Sequence, residues 1–193
     1  RSMSLRLVTA ATSPAISLAE AKAHLRVDTS DENTLIESLV AAATDMAEQQ
    51  TRRALMTQTW ELSLDDFPAK FELTRVPVAS ITSAKYTDHN GVEQTLAPGA
   101  YTLDVSDDYG FAYVRPVYGT KWPSAREGVK VRYVAGYASA SVVPEPIKQW
   151  IKLMVSTMFD NRETESYSSR AVSTTVRMQF VDRLLDRYVV AIV

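Results

Sequence analysis

The sequence contains no cysteine and only two histidines among its 193 residues. The absence of cysteine excludes a disulfide framework and zinc sites built on thiolates, and it suits a reducing cytoplasm. Two histidines leave little material for imidazole catalysis or for a histidine-rich metal centre. No uninterrupted apolar run approaches the ~18 residues that a membrane span requires. We therefore expect a protein with no metal, no bound cofactor and no membrane partner.

An excess of charge of one sign is also missing. The chain has 21 basic and 23 acidic residues, so its formal net charge is −2. No segment has the clustered lysines and arginines that neutralisation of nucleic-acid phosphates would need. Tight binding of nucleic acid by the isolated chain is therefore not expected, although a weak patch assembled only by the fold stays open.

Glycine is scarce, and its distribution divides the chain. All six glycines lie between positions 91 and 136, at a spacing of 8 to 11 residues that is typical of short strands joined by turns. The glycine-free flanks favour helices, because glycine costs about 1 kcal/mol in a helix interior. The sequence thus predicts an α+β fold in which N- and C-terminal helices pack together around or beside a central antiparallel β-segment of short strands. Its predicted parts are a helical segment 1–56, a β-rich segment 57–137, and a helical segment 138–193 that forms one compact unit with 1–56.

Capping signals and apolar spacing predict four helices. The first covers residues 17 to about 25 and opens with a capping box, in which Ser17 is followed three residues later by Glu20. The second runs from about 31 to 52, with apolar residues at helical spacing along one side. The third follows Pro144, a residue that fits the start of a helix. The last covers about 179 to 188.

A period of two that begins after Thr57 predicts the β-structure. Trp60, Leu62 and Leu64 alternate with polar residues, as in a half-buried strand. The pair Asn90-Gly91 is a strong signal for a hairpin turn. Strands are also predicted near 70–75, 80–87, 92–96, 101–105 and 129–133. The serine- and threonine-rich stretch 164–175 is predicted to be a mobile loop that could order on contact with a partner.

Motifs of the common enzyme classes are missing. The sequence has no phosphate-binding loop, no G-x-G-x-x-G and no G-x-S-x-G. His24 has no histidine four residues away on its helix, so a structural or surface role is expected. His89 lies in a turn sequence where a polar residue is usual, and it is a weak catalytic candidate.

Acidic residues give only weak indications of chemistry. Asp28, Asp31 and Glu32 resemble part of a calcium loop, but the central glycine and terminal glutamate of an EF-hand are missing. We interpret them as a loop and a helix N-terminus, where carboxylates are favoured. The pairs 65–66 and 107–108 are adjacent aspartates, whose side chains would point to opposite faces of a strand, so neither pair converges on a substrate by itself. The sequence therefore predicts no catalytic residue.

Two parts of the chain are candidates for contacts with other subunits. The second helix carries the small residues Ala41 and Ala42 beside its apolar stripe, which permits close approach of a neighbour. In the predicted final helix, two aspartates and two arginines would stack at i,i+4, where like charges repel by about 0.2–0.5 kcal/mol. Opposite charges on a neighbour would relieve this repulsion, and the apolar tail that follows could add to the contact. The alternatives are a solvated helix face and a tail that docks on its own core. The candidate residues of the C-terminal part are Asp182, Arg183, Leu184, Leu185, Asp186, Arg187, Tyr188, Val189, Val190 and Ile192.

Several short motifs, in their order and spacing from residue 16 to 188, resemble a known family. They are Ile16-Ser17-Leu18-Ala19-Glu20-Ala21-Lys22, Thr51-Arg52-Arg53-Ala54-Leu55-Met56-Thr57-Gln58-Thr59-Trp60-Glu61-Leu62, Arg75-x-Pro77-Val78-x-Ser80-Ile81, Val143-Pro144, Asn161-Arg162-Glu163 and Val181-Asp182-Arg183-Leu184-Leu185. The family is that of the head–tail connector, or head-completion adaptor, proteins of tailed phages and prophages.

The resemblance implies a structural virion protein and no catalytic residue. Such proteins form a ring of about twelve subunits beneath the portal protein, where they extend the DNA channel and provide a platform for a head-closure or tail protein. The implied partners are other copies of the chain, the portal protein, the head-closure or tail protein, and double-stranded DNA that passes without tight binding. The implied location is the head–tail junction of the virion, with the host cytoplasm as the place of assembly.

Two other readings of the residues stay open. One is a small hydrolase or transferase that uses the aspartate pairs or His89, which would require carboxylates converging in one pocket with raised pKa values. The other is an interaction adaptor unrelated to phages.

Overall fold

The structure, a computed structural model, describes residues 3–106, 110–125, 127–161 and 181–190. The chain forms two compact units. One unit, called the β unit here, comprises Arg1–Thr12, Thr57–Tyr137 and Val190–Val193. The other, called the helical unit, comprises Ser13–Met56 and Ala138–Val189. The predicted α+β class with antiparallel β-structure is confirmed.

The β unit contains two antiparallel sheets. Its strands are β1 (Met3–Thr9), β2 (Gln58–Leu64), β3 (Phe71–Glu72), β4 (Val78–Thr87), β5 (Glu93–Thr95), β6 (Tyr101–Ser106), β7 (Phe111–Pro116) and β8 (Glu127–Ala135). The larger sheet has the order β1-β2-β8-β4-β5, and the smaller one has the order β3-β7-β6. Strands β1 and β7 are additions to the predicted set, and β1 begins inside the segment 1–56 that the sequence predicts to be helical.

Alternation along the central strands separates a core face from a polar face. Leu62 of β2 pairs with Val131 of β8, and both side chains are fully buried. The next pair along the ladder, Glu61 with Arg132, lies on the opposite face because side chains alternate along a strand. In the smaller sheet, Val114 pairs with Phe71 and both are buried.

An aromatic cluster fills part of the β unit beyond the strands. The rings of Phe67 and Trp122 stack with centroids 4.7 Å apart and an interplanar angle of 10°. Tyr86 meets the Phe67 ring edge-on at 5.8 Å, and Phe71 meets Trp122 at 5.8 Å. Such ring pairs add to the stabilisation that comes from their buried area.

The predicted hairpin is present between β4 and β5. Gly91 has a φ of 78°, the left-handed region that glycine adopts without steric cost. The Asp88 carboxylate accepts hydrogen bonds from the backbone N–H groups of Asn90 and Val92 and closes the turn. These hydrogen bonds hold the pKa of Asp88 below its ordinary value, the bond from Val92 being the largest cause.

The helical unit begins with α1 (Leu18–Leu25), and its predicted capping box is confirmed. The Ser17 hydroxyl accepts a hydrogen bond from the Glu20 N–H at 3.2 Å, and the Glu20 carboxylate accepts one from the Ser17 N–H at 2.8 Å. The bond from the Ser17 N–H, and a second one that the Ser17 hydroxyl donates to the carboxylate at 2.9 Å, lower the pKa of the Glu20 carboxyl, the backbone bond contributing most. A Lys152 side chain 3.8 Å from Glu20 links α1 to the third helix.

Two longer helices supply the core of this unit. They are α2 (Asn33–Thr51) and α3 (Glu145–Asp160), and they pack against each other. Ile36, Val40 and Ala43 of α2 are buried, as the predicted stripe requires. On α3, the predicted apolar stripe is buried at Ile147, Trp150, Ile151, Met154 and Val155. In the described part of the chain, no helix is long and apolar enough to cross a membrane.

The end of the chain differs from the prediction of a regular α-helix up to residue 188. Among residues 181–190, only the first two are α-helical, and a turn leads to a 3₁₀-helix at Asp186–Tyr188. The hydrogen bonds are of the tighter i→i−3 kind, such as the Tyr188 N–H to the Leu185 carbonyl at 2.7 Å. This change of path accompanies complete burial of Leu185. The complete α-helices of the described residues are therefore α1 and α2 in the first third of the chain and α3 later, rather than a set grouped at the two ends of the chain. Residues 164–175, the predicted mobile loop, and residues 179–180, the start of the predicted final helix, lie outside the described residues.

Candidate assembly surfaces

The outward side of α2 is small and acidic. Ala41 and Ala42 are exposed, and so are Glu37 and Asp45 on the same side of the helix. We call these four residues the α2 face. The small side chains of the two alanines let another backbone approach closely, beside the apolar side chain of Met46, which is 42% exposed one turn after Ala42. The two carboxylates favour a partner that carries positive charge.

The C-terminal segment, residues 181–190, exposes two arginines and one aspartate. Arg183, Asp186 and Arg187 are exposed, and the Val189 side chain is 44% exposed. Leu184 and Tyr188 are half-buried. Leu185 and Val190 are buried within the subunit, so these two candidates are core residues of the free chain. Ile192 lies outside the described residues.

The two aspartates expected to stack do not lie on one regular α-helix, because the segment leaves the α-helical path. Asp182 is half-buried and accepts a hydrogen bond from the Trp150 indole N–H at 3.1 Å. Asp186 is exposed and lies in the 3₁₀-helix. The two carboxylates therefore occupy different surroundings, whereas both arginines stay on the surface.

Arg53 holds the other end of this segment. Its Nε–H donates a hydrogen bond to the Tyr188 carbonyl oxygen at 2.8 Å, across 135 positions of sequence. Its guanidinium carbon also lies 6.0 Å from the centre of the Tyr188 ring, within cation–π range. The C-terminal segment is thus fixed through Arg53 to the chain that follows α2, and through Trp150 to α3.

The chain reverses direction after α2, and the residues that follow are buried. The helix ends at Arg52, whose φ of 59° reverses the chain, and the Thr51 hydroxyl donates to the Ala47 carbonyl. Arg53 and Leu55 are buried immediately afterwards. The Leu55 N–H donates to the Glu48 carboxylate at 2.7 Å, so the buried backbone is satisfied. Sequence reasoning missed the role of Arg53, because its partner lies 135 residues away.

The residues considered for catalysis or metal binding do not converge. The His89 Nε2 atom forms an exposed hydrogen bond with the Ser124 hydroxyl at 2.7 Å, while His24 lies on α1. Among described residues, no three histidine, aspartate or glutamate side chains are placed to hold a metal ion, and Asp28, Asp31 and Glu32 form no such group. Asp65 and Asp66 are exposed at the end of β2, and the pair 107–108 lies outside the described residues.

One carboxyl in the β unit has a raised pKa. Burial raises the pKa of Glu72 in β3, and the nearby Lys70 partly opposes this. Lys70 Nζ lies 4.4 Å from the centre of the Tyr113 ring. Neither the 65–66 pair nor His89 is a partner of Glu72, so the arrangement that a hydrolase reading requires is not found in the described residues.

Comparison with known proteins decides the class of the chain. Residues 15–106 match the family of phage gp6-like head-tail connector proteins. This part of the chain is thus similar to head-tail connector proteins. The match confirms the predicted resemblance, the predicted structural rather than enzymatic class, and the head–tail junction as the place of action. It spans α1, α2 and the strands as far as β6, including the turn that contains Arg53.

Solved structures are similar to this chain over nearly its whole length. A chain in the neck of an empty GTA particle, computed with C6 symmetry, matches with a TM-score of 0.79 and 24% identity, covering 98% of this chain and 97% of that one. A chain in the virion of a native gene transfer agent (GTA) particle matches with a TM-score of 0.77 and 24% identity, covering 98% of this chain and 96% of that one. A chain in the neck of a native GTA particle, computed with C12 symmetry, matches with a TM-score of 0.71 and 22% identity, covering 98% of this chain and 97% of that one. These likenesses establish the fold. No protein with a curated description matches the chain.

Proposed function

We propose that the connector forms a ring of about twelve subunits beneath the portal, where it extends the DNA channel and offers a platform to a head-closure or tail protein. The observation that carries this proposal is the family match over residues 15–106. The fold shared with chains in GTA necks computed with C6 and C12 symmetry supports a ring as the working form.

Ring formation requires two different surfaces that meet between neighbours. A closed ring is built from heterologous contacts, in which one face of a subunit binds another face of the next. We assign these roles to the α2 face and the C-terminal segment. Glu37 and Asp45 on one subunit would lie opposite Arg183 and Arg187 on its neighbour, with Ala41 and Ala42 allowing close approach.

The predicted segments have separate roles in this proposal. Residues 1–56 and 138–193 supply helices that pack together and carry both assembly surfaces. The β-rich segment 57–137 adds surface for the platform. Double-stranded DNA passes through the ring without tight binding, because a net charge of −2 gives no excess of cations to grip phosphates.

Charge exchange tests the assignment of the two surfaces. The double variant Glu37→Lys/Asp45→Lys and the double variant Arg183→Glu/Arg187→Glu are each mixed with portal-bearing capsids, and the portal vertex is imaged. Each is expected to reduce connector density at the vertex, because like charges would face each other. The quadruple variant is expected to restore it. Lys121→Glu, at an exposed loop position of the β unit, is a control for a charge change elsewhere.

Two outcomes would count against these assignments. Absence of wild-type density at the vertex would reject the connector function itself. Full density for both double variants would reject the assigned surfaces and leave the connector function standing.

A further inference from the structure

Arg53 is unusual because its charge is buried. Within the part of the chain that the structure describes, it is the one charged residue in the buried class, with 3% of its surface exposed. Burying a guanidinium is costly unless hydrogen bonds replace its water. A side chain retained in such a place needs a reason beyond filling space, since an apolar residue of similar size would fill it at lower cost.

The partner of Arg53 is a main-chain atom of the C-terminal segment. The Nε–H of Arg53 donates to the Tyr188 carbonyl at 2.8 Å, so the bond fixes the backbone whatever side chain stands at 188. Leu185, three residues earlier, is completely buried, and Asp182, three residues before that, accepts from Trp150. Three attachments at regular intervals therefore hold one side of the segment.

The side of the segment opposite the three attachments is exposed to solvent. Arg183, Asp186 and Arg187 are exposed between the attached positions, and Val189 is exposed just beyond the last one. The positions of these exposed side chains follow from where the backbone is held. Loss of the hydrogen bond at Tyr188 would loosen residues 186–189, which lie between the buried residues Leu185 and Val190.

We propose that Arg53 is a positioning residue for assembly: it fixes the backbone at Tyr188 and thereby presents Arg187 and Val189 to the next copy of this chain. This inference rests on the proposed ring, and it adds to it the side chain that sets the geometry of one ring surface. Arg53 itself makes no contact with the neighbour, because it is buried within its own subunit.

Hydrogen exchange of the free subunit tests the attachment directly. The reporters are the amides of Leu185 and Tyr188, which donate hydrogen bonds within the segment. Arg53→Met is expected to speed their exchange at least tenfold, and Arg53→Lys less, because an ammonium retains one donor to the carbonyl. Tyr188→Leu is expected to stay within about threefold of the wild type, since the carbonyl acceptor remains and only the ring contact is lost.

Vertex imaging of the same variants then tests the role in assembly. Connector occupancy on portal-bearing capsids is expected to fall in the order wild type, Arg53→Lys, Arg53→Met. Ile147→Val, a buried change in α3, is the control for a general loss of stability and is expected to keep wild-type occupancy. Partial rescue by lysine would not be expected if Arg53 served only to fill its site.

The possible results separate this inference from the proposed function. Unchanged exchange in Arg53→Met would overturn the attachment. Faster exchange with full vertex occupancy would overturn the positioning role and leave the ring intact. If the wild type failed to occupy the vertex, the proposed function would fail, and with it the role of Arg53 in assembly, whereas the exchange data would still decide the attachment.

Discussion

Glu61 of β2 and Arg132 of β8 stand directly opposite each other and form a hydrogen-bonded ion pair of 2.8 Å. The second oxygen of the same carboxylate accepts a hydrogen bond from Arg6 of β1, also at 2.8 Å. Only 12% of the Glu61 side chain is exposed. One carboxylate thus joins three neighbouring strands on the polar face of the larger sheet, and these bonds, that from Arg132 foremost, hold the pKa of Glu61 below its ordinary value.

This carboxylate gives the β unit a pH-dependent contribution to stability. Because the folded pKa of Glu61 is lowered from 4.5, the contribution is complete above about pH 4.5 and is lost as the pH falls through the folded value. We expect Glu61→Gln to lower the free energy of unfolding by about 1 kcal/mol at pH 7, since both arginines are partly exposed and the bonds are screened. The difference from the wild type should shrink below pH 4.5. Urea unfolding at several pH values measures it, and a constant difference down to pH 2 would contradict the assignment.

The capping box of α1 gives a second prediction. Ser17→Ala removes the hydroxyl that accepts from the Glu20 N–H, and we expect it to cost about 1 kcal/mol. Thr34→Ala, an exposed change at the start of α2, is the control and should stay within about 0.5 kcal/mol of the wild type. Thermal unfolding compares the two. Equal melting temperatures for both variants would show that the cap contributes nothing measurable.

Two glycines of the β unit form a matched pair. An added Cβ would meet no atom within 4 Å at Gly91 or at Gly99, so packing does not distinguish them. Only Gly91 of the two has a positive φ. We expect Gly91→Ala to destabilise the protein by about 1 kcal/mol, Gly91→Asn by less, and Gly99→Ala by close to zero. Chemical unfolding tests this, and equal losses for the two alanine variants would contradict it.

The free connector should bind duplex DNA only weakly. With 21 basic and 23 acidic residues, few counterions would be released on contact with phosphates. We expect no measurable retention of a 40-base-pair duplex at about 0.15 M salt. Fluorescence anisotropy provides the measurement. A micromolar complex whose affinity fell steeply with salt would reveal a basic surface that the proposal does not contain.

Local signals predicted the elements well where one stretch of chain holds all the necessary information. The capping box at Ser17, the turn at Asn90-Gly91 and the buried stripe of α3 each depend on residues within about one or two turns of each other. Strand β7 is missing from the prediction because only Ala112 and Val114 are buried, and half-buried Phe111 and Tyr113 occupy the other face. Strand β1 was missed although Met3, Leu5 and Leu7 alternate with Ser4 and Arg6. It is an edge strand whose side chains are mostly exposed, so its apolar residues do not mark a buried face.

The sequence by itself determined the class of the protein: the ordered connector motifs, the lack of cysteine and the balanced charge are properties of the chain before it folds. Only the tertiary structure decided how the C-terminal segment is held. Its attachments join residues 32 and 135 positions apart, at Trp150 with Asp182 and at Arg53 with Tyr188. Periodicity reports contacts between neighbours along the chain, whereas a bond across such distances exists only after helices have packed and brought donor and acceptor together.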